Sequence, residues 1–298
     1  MQIPKSSSHQ AEPLALSWSR QDIENRLGFS GGRFTSVNTT CAFIGAVFLV
    51  LGFYALLVFV FAPNPGGQVV ARLFLRPGNL LTVVPATLLF FWGVMVLLIK
   101  RSKVRFQRRA LNLASLPDNP DFLLTATTAE PVLSRLHGMV DHPHHFLLLN
   151  RIERALANLK NIGQVGDVSS ILRAQAENDE DRVASSYTLI NGFVWAIPVL
   201  GFIGTVLGLS YAIGKFGLTL QAEGDMAAIR TSLQGVTSGL ATAFETTLVA
   251  LVLALILQLW ITFQQKQEMA LLDECNDYCH ARVVSRLRVA QPMPNPGT

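Results

Sequence analysis

The sequence predicts an all-α integral membrane protein with four transmembrane helices and helical cytoplasmic extensions. Three observations carry that prediction. Half of the 298 residues are hydrophobic and only 15% are charged, against about 25% in a soluble domain. Four apolar runs each reach the roughly 20 residues that a helix needs to cross the hydrocarbon core. Basic residues crowd one flank of the second run, as they do at the cytoplasmic end of a span.

Taken in order, residues 1–40 form a polar N-terminal tail, serine-rich and of mixed charge over 1–36, expected to be poorly ordered. "CAFIGAVFLVLGFYALLVFVFA" (41–62) is too long for a leader's apolar region. "PNPGG" follows it instead of a small-residue cleavage site, so it reads as span one. The loop "PNPGGQVVARLFLRPG" turns the chain into span two, "NLLTVVPATLLFFWGVMVLLI" (79–99). Next comes "KRSKVRFQRR", with Lys100, Arg101, Lys103, Arg105, Arg108 and Arg109, while the loop before span two carries only Arg72 and Arg76. This asymmetry puts both termini and the 100–187 helical region on the cytoplasmic side. The net charge of +4 is then topological, and no nucleic-acid partner is read into it.

Within 100–187, "FLLLNRIERALANLK" sets Leu149, Ile152, Leu156 and Leu159 on one helical stripe, opposite Arg151, Arg154 and Lys160. Asp167 can cap a helix that runs without a break signal into span three (188–214). Span four (236–263) holds one charge, Glu245, and 264–298 continues as a charged C-terminal helix and tail.

Enzyme chemistry finds no support. "GLSYAIGK" (208–215) has five residues, not four, between its glycines, and Phe216 stands where a phosphate loop places a magnesium-binding hydroxyl. "HGMVDHPHHF" gathers His137, His142, His144, His145 and Asp141. It reads as an exposed, proline-broken loop with no second ligand cluster, so no metal is assigned. Cys275 and Cys279, one turn apart and followed by His280, also lack further ligands, and with Cys41 they read as reduced thiols. No serine elbow, HExxH or CxxC is present, and no cofactor is expected.

Spans three and four carry the unusual composition. Gly201, Gly204 and Gly208 lie on one face of span three, after Pro198, which frees a backbone carbonyl and can bend the helix. Small residues let membrane helices approach closely, so these faces predict contact with other helices and a cyclic homo-oligomer. Counted from the outer ends, Thr205 lies about 13 Å deep and Thr247 about 10 Å deep, nearly one layer. Two hydroxyls there suit a polar ring better than a lipid face. Glu245, two residues from Thr247, is turned by roughly 200° from it. A carboxylate in a span is costly and marks a functional site by default. Its structural reading pairs it with Lys215 or a neighbouring subunit, and its functional reading makes it an ion carrier.

Here the residues carry a resemblance. "IPVLGFIGTVLGLSYAI" and "GLATAFETTLVALVLA" resemble the paired signature segments of the MotA/TolQ/ExbB proton channel family, and the four-span layout is most like its MotA branch. Ala250 stands where the family usually has glycine, and Glu245 where it has an apolar residue. The resemblance implies that Thr205 and Thr247, with Thr246 beside them, line the pore. It also implies a pentamer around a dimer of helices from a single-span partner of the MotB, TolR or ExbD kind, which supplies the protonatable aspartate. The expected role is the channel-forming subunit of a proton- or sodium-driven motor in the bacterial inner membrane. The competing classes are a structural bundle without ion flow and a self-contained transporter using Glu245.

Overall fold

A computed structural model describes residues 16–29, 31–113, 123–157, 165–221 and 226–288. Among these residues the secondary structure is helical apart from two isolated backbone bridges. Four helical stretches are long and apolar enough to cross a membrane: Thr39–Phe61, Leu80–Leu113, Asp167–Gly217 and Arg230–Val284. The chain divides into two compact units. The span unit comprises Thr35–Ser102 and Asp181–Met269, and the composite unit comprises Met1–Phe34, Lys103–Glu180 and Ala270–Thr298.

The helices are α1 (Trp18–Gln21), α2 (Ile23–Arg26), α3 (Thr39–Leu56), α4 (Gln68–Leu75), α5 (Leu80–Leu113), α6 (Ala126–Met139), α7 (Leu147–Ala157), α8 (Val165–Ser186), α9 (Thr188–Gln221) and α10 (Met226–Tyr278).

In the span unit, Asn38 caps α3 by accepting the N–H of Thr40 at 3.0 Å. The helix then widens into a π turn at Leu57–Phe61. The link to span two is not a plain loop, because α4 forms within it. Its Ala71 and Phe74 are buried, and Phe74 packs edge-on against Phe53 with ring centres 5.1 Å apart. That burial outweighs the flanking Gly and Pro signals, which mark only the ends of α4. Trp92 of α5 bridges the bundle, touching Phe43 of α3 and Phe193 of α9, both at 4.9 Å between centres.

The expected unbroken run into span three is interrupted at one residue, Tyr187, whose N–H bonds back to Ala184 at 3.2 Å. Its ring is fully buried, with the Lys100 ammonium 4.2 Å from its centre. Lys100 is therefore no solvated flank residue.

The composite unit corrects the reading of the N-terminal tail. Residues 1–15 lie outside the described residues, but Trp18 is 1% exposed, held among Phe106, Phe146 and His145. Glu24 is fully buried and takes the ammonium of Lys103, a second member of the basic flank that is turned inward.

On α7 the stripe Leu149, Ile152 and Leu156 is buried, while Leu159 and Lys160 lie outside the described residues. Arg151 does not face solvent. It is 1% exposed, and its Nε donates to Asp179 at 2.9 Å, so α7 is covered on more than its apolar stripe. Asp167 lies in the first turn of α8, two residues past its start, and is not the cap. Leu124 exchanges backbone hydrogen bonds with Arg286 and Arg288 at 2.8 and 2.9 Å, tying in the segment after α10. Cys41, Cys275 and Cys279 are buried and in no disulfide.

Candidate functional site: the seam between the last two spans

Helices α9 and α10 approach so closely that side chains are excluded from the contact. A Cβ on Gly201 would stand 2.5 Å from the Cβ of Ala250, and one on Gly208 would stand 2.9 Å from the carbonyl of Gly239. A Cβ on Gly204 would meet Thr246 at 2.5 Å and Thr82 at 2.8 Å, and Gly239 returns the contact against Ala212 at 2.6 Å. The small-residue face is thus used within one chain, joining α9 to α10. The close contact with other helices expected of these faces is met by that pair. Van der Waals contact at backbone distance is the force available between helices in lipid, and glycine is what permits it. α9 continues through Pro198, which leaves one carbonyl without its usual helical donor.

Thr205 and Thr247 share one layer of this seam. Their hydroxyls are hydrogen bonded to each other. Thr205 Oγ1 also reaches the carbonyl of Ala243 on α10 at 3.2 Å, and Thr247 Oγ1 reaches that of Gly201 on α9 at 3.1 Å. The absent side chain of Gly201 is what opens its carbonyl to Thr247. Two hydroxyl protons are shared among two carbonyls and one hydroxyl–hydroxyl contact at two partly buried residues, so the oxygens keep lone pairs that accept no proton from these contacts. Thr246 is buried against Gly204, and its hydroxyl donates at 2.9 Å to the same Ala243 carbonyl that Thr205 reaches.

Glu245 finds a partner that sequence reasoning missed. Arg76, at the start of the turn into α5, donates to Oε1 at 2.9 Å and Oε2 at 3.0 Å, and Asn79 donates to Oε2 at 3.0 Å. Arg76 also donates to Ser238 at 3.0 Å. Lys215 instead lies over the ring of Tyr211, 4.7 Å from its centre. A carboxylate in a span calls for a cation at its own depth. Arg76, three residues before span two on the same side, was the legible candidate. A cavity of about 640 Å³ borders this cluster, lined in part by Arg76, Thr82, Gly208, Tyr211, Lys215 and Thr242.

A second buried polar cluster was also missed. Lys100 Nζ donates to Glu268 at 3.2 Å and to Ser186 at 2.7 Å, with both charged side chains 1% exposed. Gln264 is fully buried one turn before Glu268.

The histidine loop exposes His137, His142 and His144, as expected, but is docked through its other residues. Pro143 and Phe146 are buried, and Gln107 donates to the carbonyl of His145 at 2.7 Å. Burial lowers the pKa of His145, and His142, Arg33 and His144 add to that shift against the opposing pull of Asp141. Burial alone would raise Asp141, but the N–H groups of Trp18 and Ser19 and the hydroxyls of Ser19 and Ser17 hold it at about 2.

These features define a multi-pass helical membrane protein whose last two spans meet along a glycine and threonine seam. Residues 143–275 match the model of the MotA/TolQ/ExbB proton channel family, a stretch that contains the whole seam. The match covers both signature segments that carry the resemblance. Comparison with curated proteins and with solved structures returns no match.

Proposed function

We propose that this chain is the channel-forming subunit of an ion-motive-force-driven motor complex in the bacterial inner membrane. It works as a cyclic homo-oligomer, a pentamer by analogy with the family, around the transmembrane helices of a single-span, carboxylate-bearing partner of the MotB, TolR or ExbD kind. Both termini lie in the cytoplasm. Protons or sodium ions pass along the hydroxyls of Thr205 and Thr247 and neutralise the partner's carboxylate, which loosens its hold and permits movement.

The observation that supports this reading most is the paired hydroxyls at one depth in a seam built largely of small residues. Orientation is supported by Arg101, Arg105, Arg108 and Arg109, which remain after Lys100 and Lys103 are set aside as buried. Against the self-contained transporter stands the ion pair of Glu245 with Arg76, which leaves that carboxylate balanced. Against the plain structural bundle stands the partial exposure of the hydroxyl pair.

The test is ion uptake into liposomes that hold this protein together with the single-span membrane protein that co-purifies with it. Uptake should require both proteins and fall in the double variant Thr205→Val, Thr247→Val. Full uptake by that variant removes the pore assignment, and undiminished uptake without any partner transfers the function to a self-contained transporter.

A further inference from the structure

The turn between spans one and two holds more positive charge than its own carboxylate balances. On α4, Gln68 and Arg72 stand four residues apart, and Arg76 follows four residues later as the C-cap, so the three share one side of the helix. Like charges at that spacing repel. Arg76 is relieved by Glu245, to which it donates at 2.9 and 3.0 Å. The guanidinium of Arg72 is exposed and has neither a hydrogen bond nor an ion pair among the described residues. Both arginines line a cavity of about 570 Å³ together with Gln68, Ala71, Leu75 and Glu245. Two cations and one anion leave that lining with one uncompensated positive charge.

The surroundings say what anion can reach it. Span one ends in the π turn Leu57–Phe61 just before α4, and span two begins at Leu80 just after it. The helix therefore lies where hydrocarbon gives way to lipid headgroups, at the end of the spans opposite the basic 100–109 flank. Val69, three residues before Arg72 and on its side of α4, is 68% exposed. Phe59 and Leu81, at the adjoining ends of spans one and two, are exposed as well. A short helix with apolar side chains beside a cation, at headgroup level, is built for a lipid and not for water.

We propose that α4 binds an anionic phospholipid, with the phosphodiester held by Arg72 and Gln68 at the cavity and the acyl chains covering Val69 and the neighbouring span ends. A planar guanidinium can hold two phosphate oxygens at once, and the Gln68 amide adds a neutral donor. Glu245 does not repel the phosphate outright, because Arg76 and Asn79 already hold it. The surplus charge selects for net charge: a zwitterionic lipid brings its own cation and leaves Arg72 no better balanced than before. Glu245 is turned by roughly 200° from Thr247, so the site lies on the side of α10 away from the hydroxyl pair. It needs only that the chain spans a membrane, and it does not rest on the channel reading.

The experiment is native mass spectrometry of the full chain in detergent, titrated with phosphatidylglycerol or with phosphatidylcholine of identical acyl chains. The quantity read is the ratio of the two affinities, which cancels general adhesion of lipid to the spans. Arg72→Gln should lower that ratio roughly fivefold, the effect of one basic side chain beside an anionic lipid, and Arg72→Lys should keep most of it. Arg230, exposed on α10 and lining another cavity with Arg76, is the control for charge at the same level. Arg230→Gln should leave the ratio unchanged. The site is overturned if Arg72→Gln keeps the wild-type ratio, or if Arg230→Gln lowers it as much, which would mean diffuse attraction only. It is overturned in favour of a free-anion site if inorganic phosphate abolishes the preference in wild type. Ion uptake plays no part in this readout, so its outcome stands apart from the channel assignment.

Discussion

Arg76 and Glu245 are joined by a two-oxygen hydrogen bond, from Nη1 to Oε1 at 2.9 Å and Oε2 at 3.0 Å, across 169 positions of the chain. The pair pins the turn before α5 to α10 beside the hydroxyl seam, and it decides how Glu245 is to be read. A carboxylate already matched by a guanidinium and by Asn79 is a structural member first. With the side chains 31% and 25% exposed, screening discounts its strength.

Arg76→Ala should therefore destabilise the protein by about 1–2 kcal/mol, and Glu245→Gln by less because Asn79 and Arg76 retain an amide oxygen to donate to. Thermal unfolding in detergent of both variants and their combination reads the coupling. Strictly additive effects would show that the two side chains do not support each other.

The glycine seam makes a sharper forecast. Gly201→Ala and Gly208→Ala each place a Cβ inside ordinary contact distance of the facing helix, against Ala250 and the Gly239 carbonyl. Each should cost about 1–3 kcal/mol. Gly214→Ala, with nothing within 4 Å of its Cβ position, should be neutral or slightly stabilising. Equal losses at all three positions in the same unfolding assay would mean that close approach is not what the seam glycines provide.

Lys100 and Glu268 are a buried pair whose halves should not be separable. Lys100→Met leaves an uncompensated carboxylate and should cost about 3–5 kcal/mol, while Lys100→Met with Glu268→Leu should recover most of it. A double variant no more stable than the single would show that the cluster's value lies in its hydrogen bonds to neighbours such as Ser186.

Asp141 sets an acid limit on the docking of the N-terminal segment. Its pKa is depressed from 3.8 to about 2, because four donors around it outweigh burial. A depressed carboxylate contributes stability above its unfolded value and loses it as pH falls through the folded one. Protection of the amides of 16–21 should therefore hold down to about pH 4 and fall towards about pH 2. Asp141→Asn should show the loss already at neutral pH. Its retention in that variant would assign the docking to the Trp18 ring alone.

What the sequence made legible follows from how local each cause is. Four spans are visible because hydrocarbon length sets a run of residues, and Thr205 and Thr247 could be placed in one layer because the helical rise converts residue count to depth. Trp18, Lys100, Lys103 and Arg151 could not be placed. Each is polar or stands in a polar stretch, and each is buried by a partner distant in sequence: His145, Glu268, Glu24 and Asp179. Charge patterning treats such residues as surface, and only the tertiary pairing reverses that. Arg76 differs from these, since its depth beside span two made it a legible partner for Glu245. The glycine face was recognised as a packing face, but spacing alone does not say whether the opposing helix belongs to the same chain.

The hydroxyl pair separates chemistry from packing, because three substitutions at one position change them independently. Thr247→Val keeps the volume and removes the hydroxyl, breaking its bonds to Thr205 and to the Gly201 carbonyl. Thr247→Ser keeps the hydroxyl and gives up one methyl. Thr247→Ala removes both. If Thr247 serves only to hold α9 against α10, stability should decide function: valine and serine should lie between wild type and alanine, each losing about 0.5–1 kcal/mol. If its oxygen carries the ion route, function should follow the hydroxyl instead. Ion uptake with the partner should survive in serine and fail in both valine and alanine, although valine assembles as well as wild type. The same series at Thr205 should behave alike, because the two oxygens share one contact. At Thr246, which is fully buried against Gly204, valine should cost stability without a separate loss of uptake. Uptake per assembled complex in liposomes is the measurement, and a valine variant at Thr247 that conducts as well as serine would reduce the pair to a packing device.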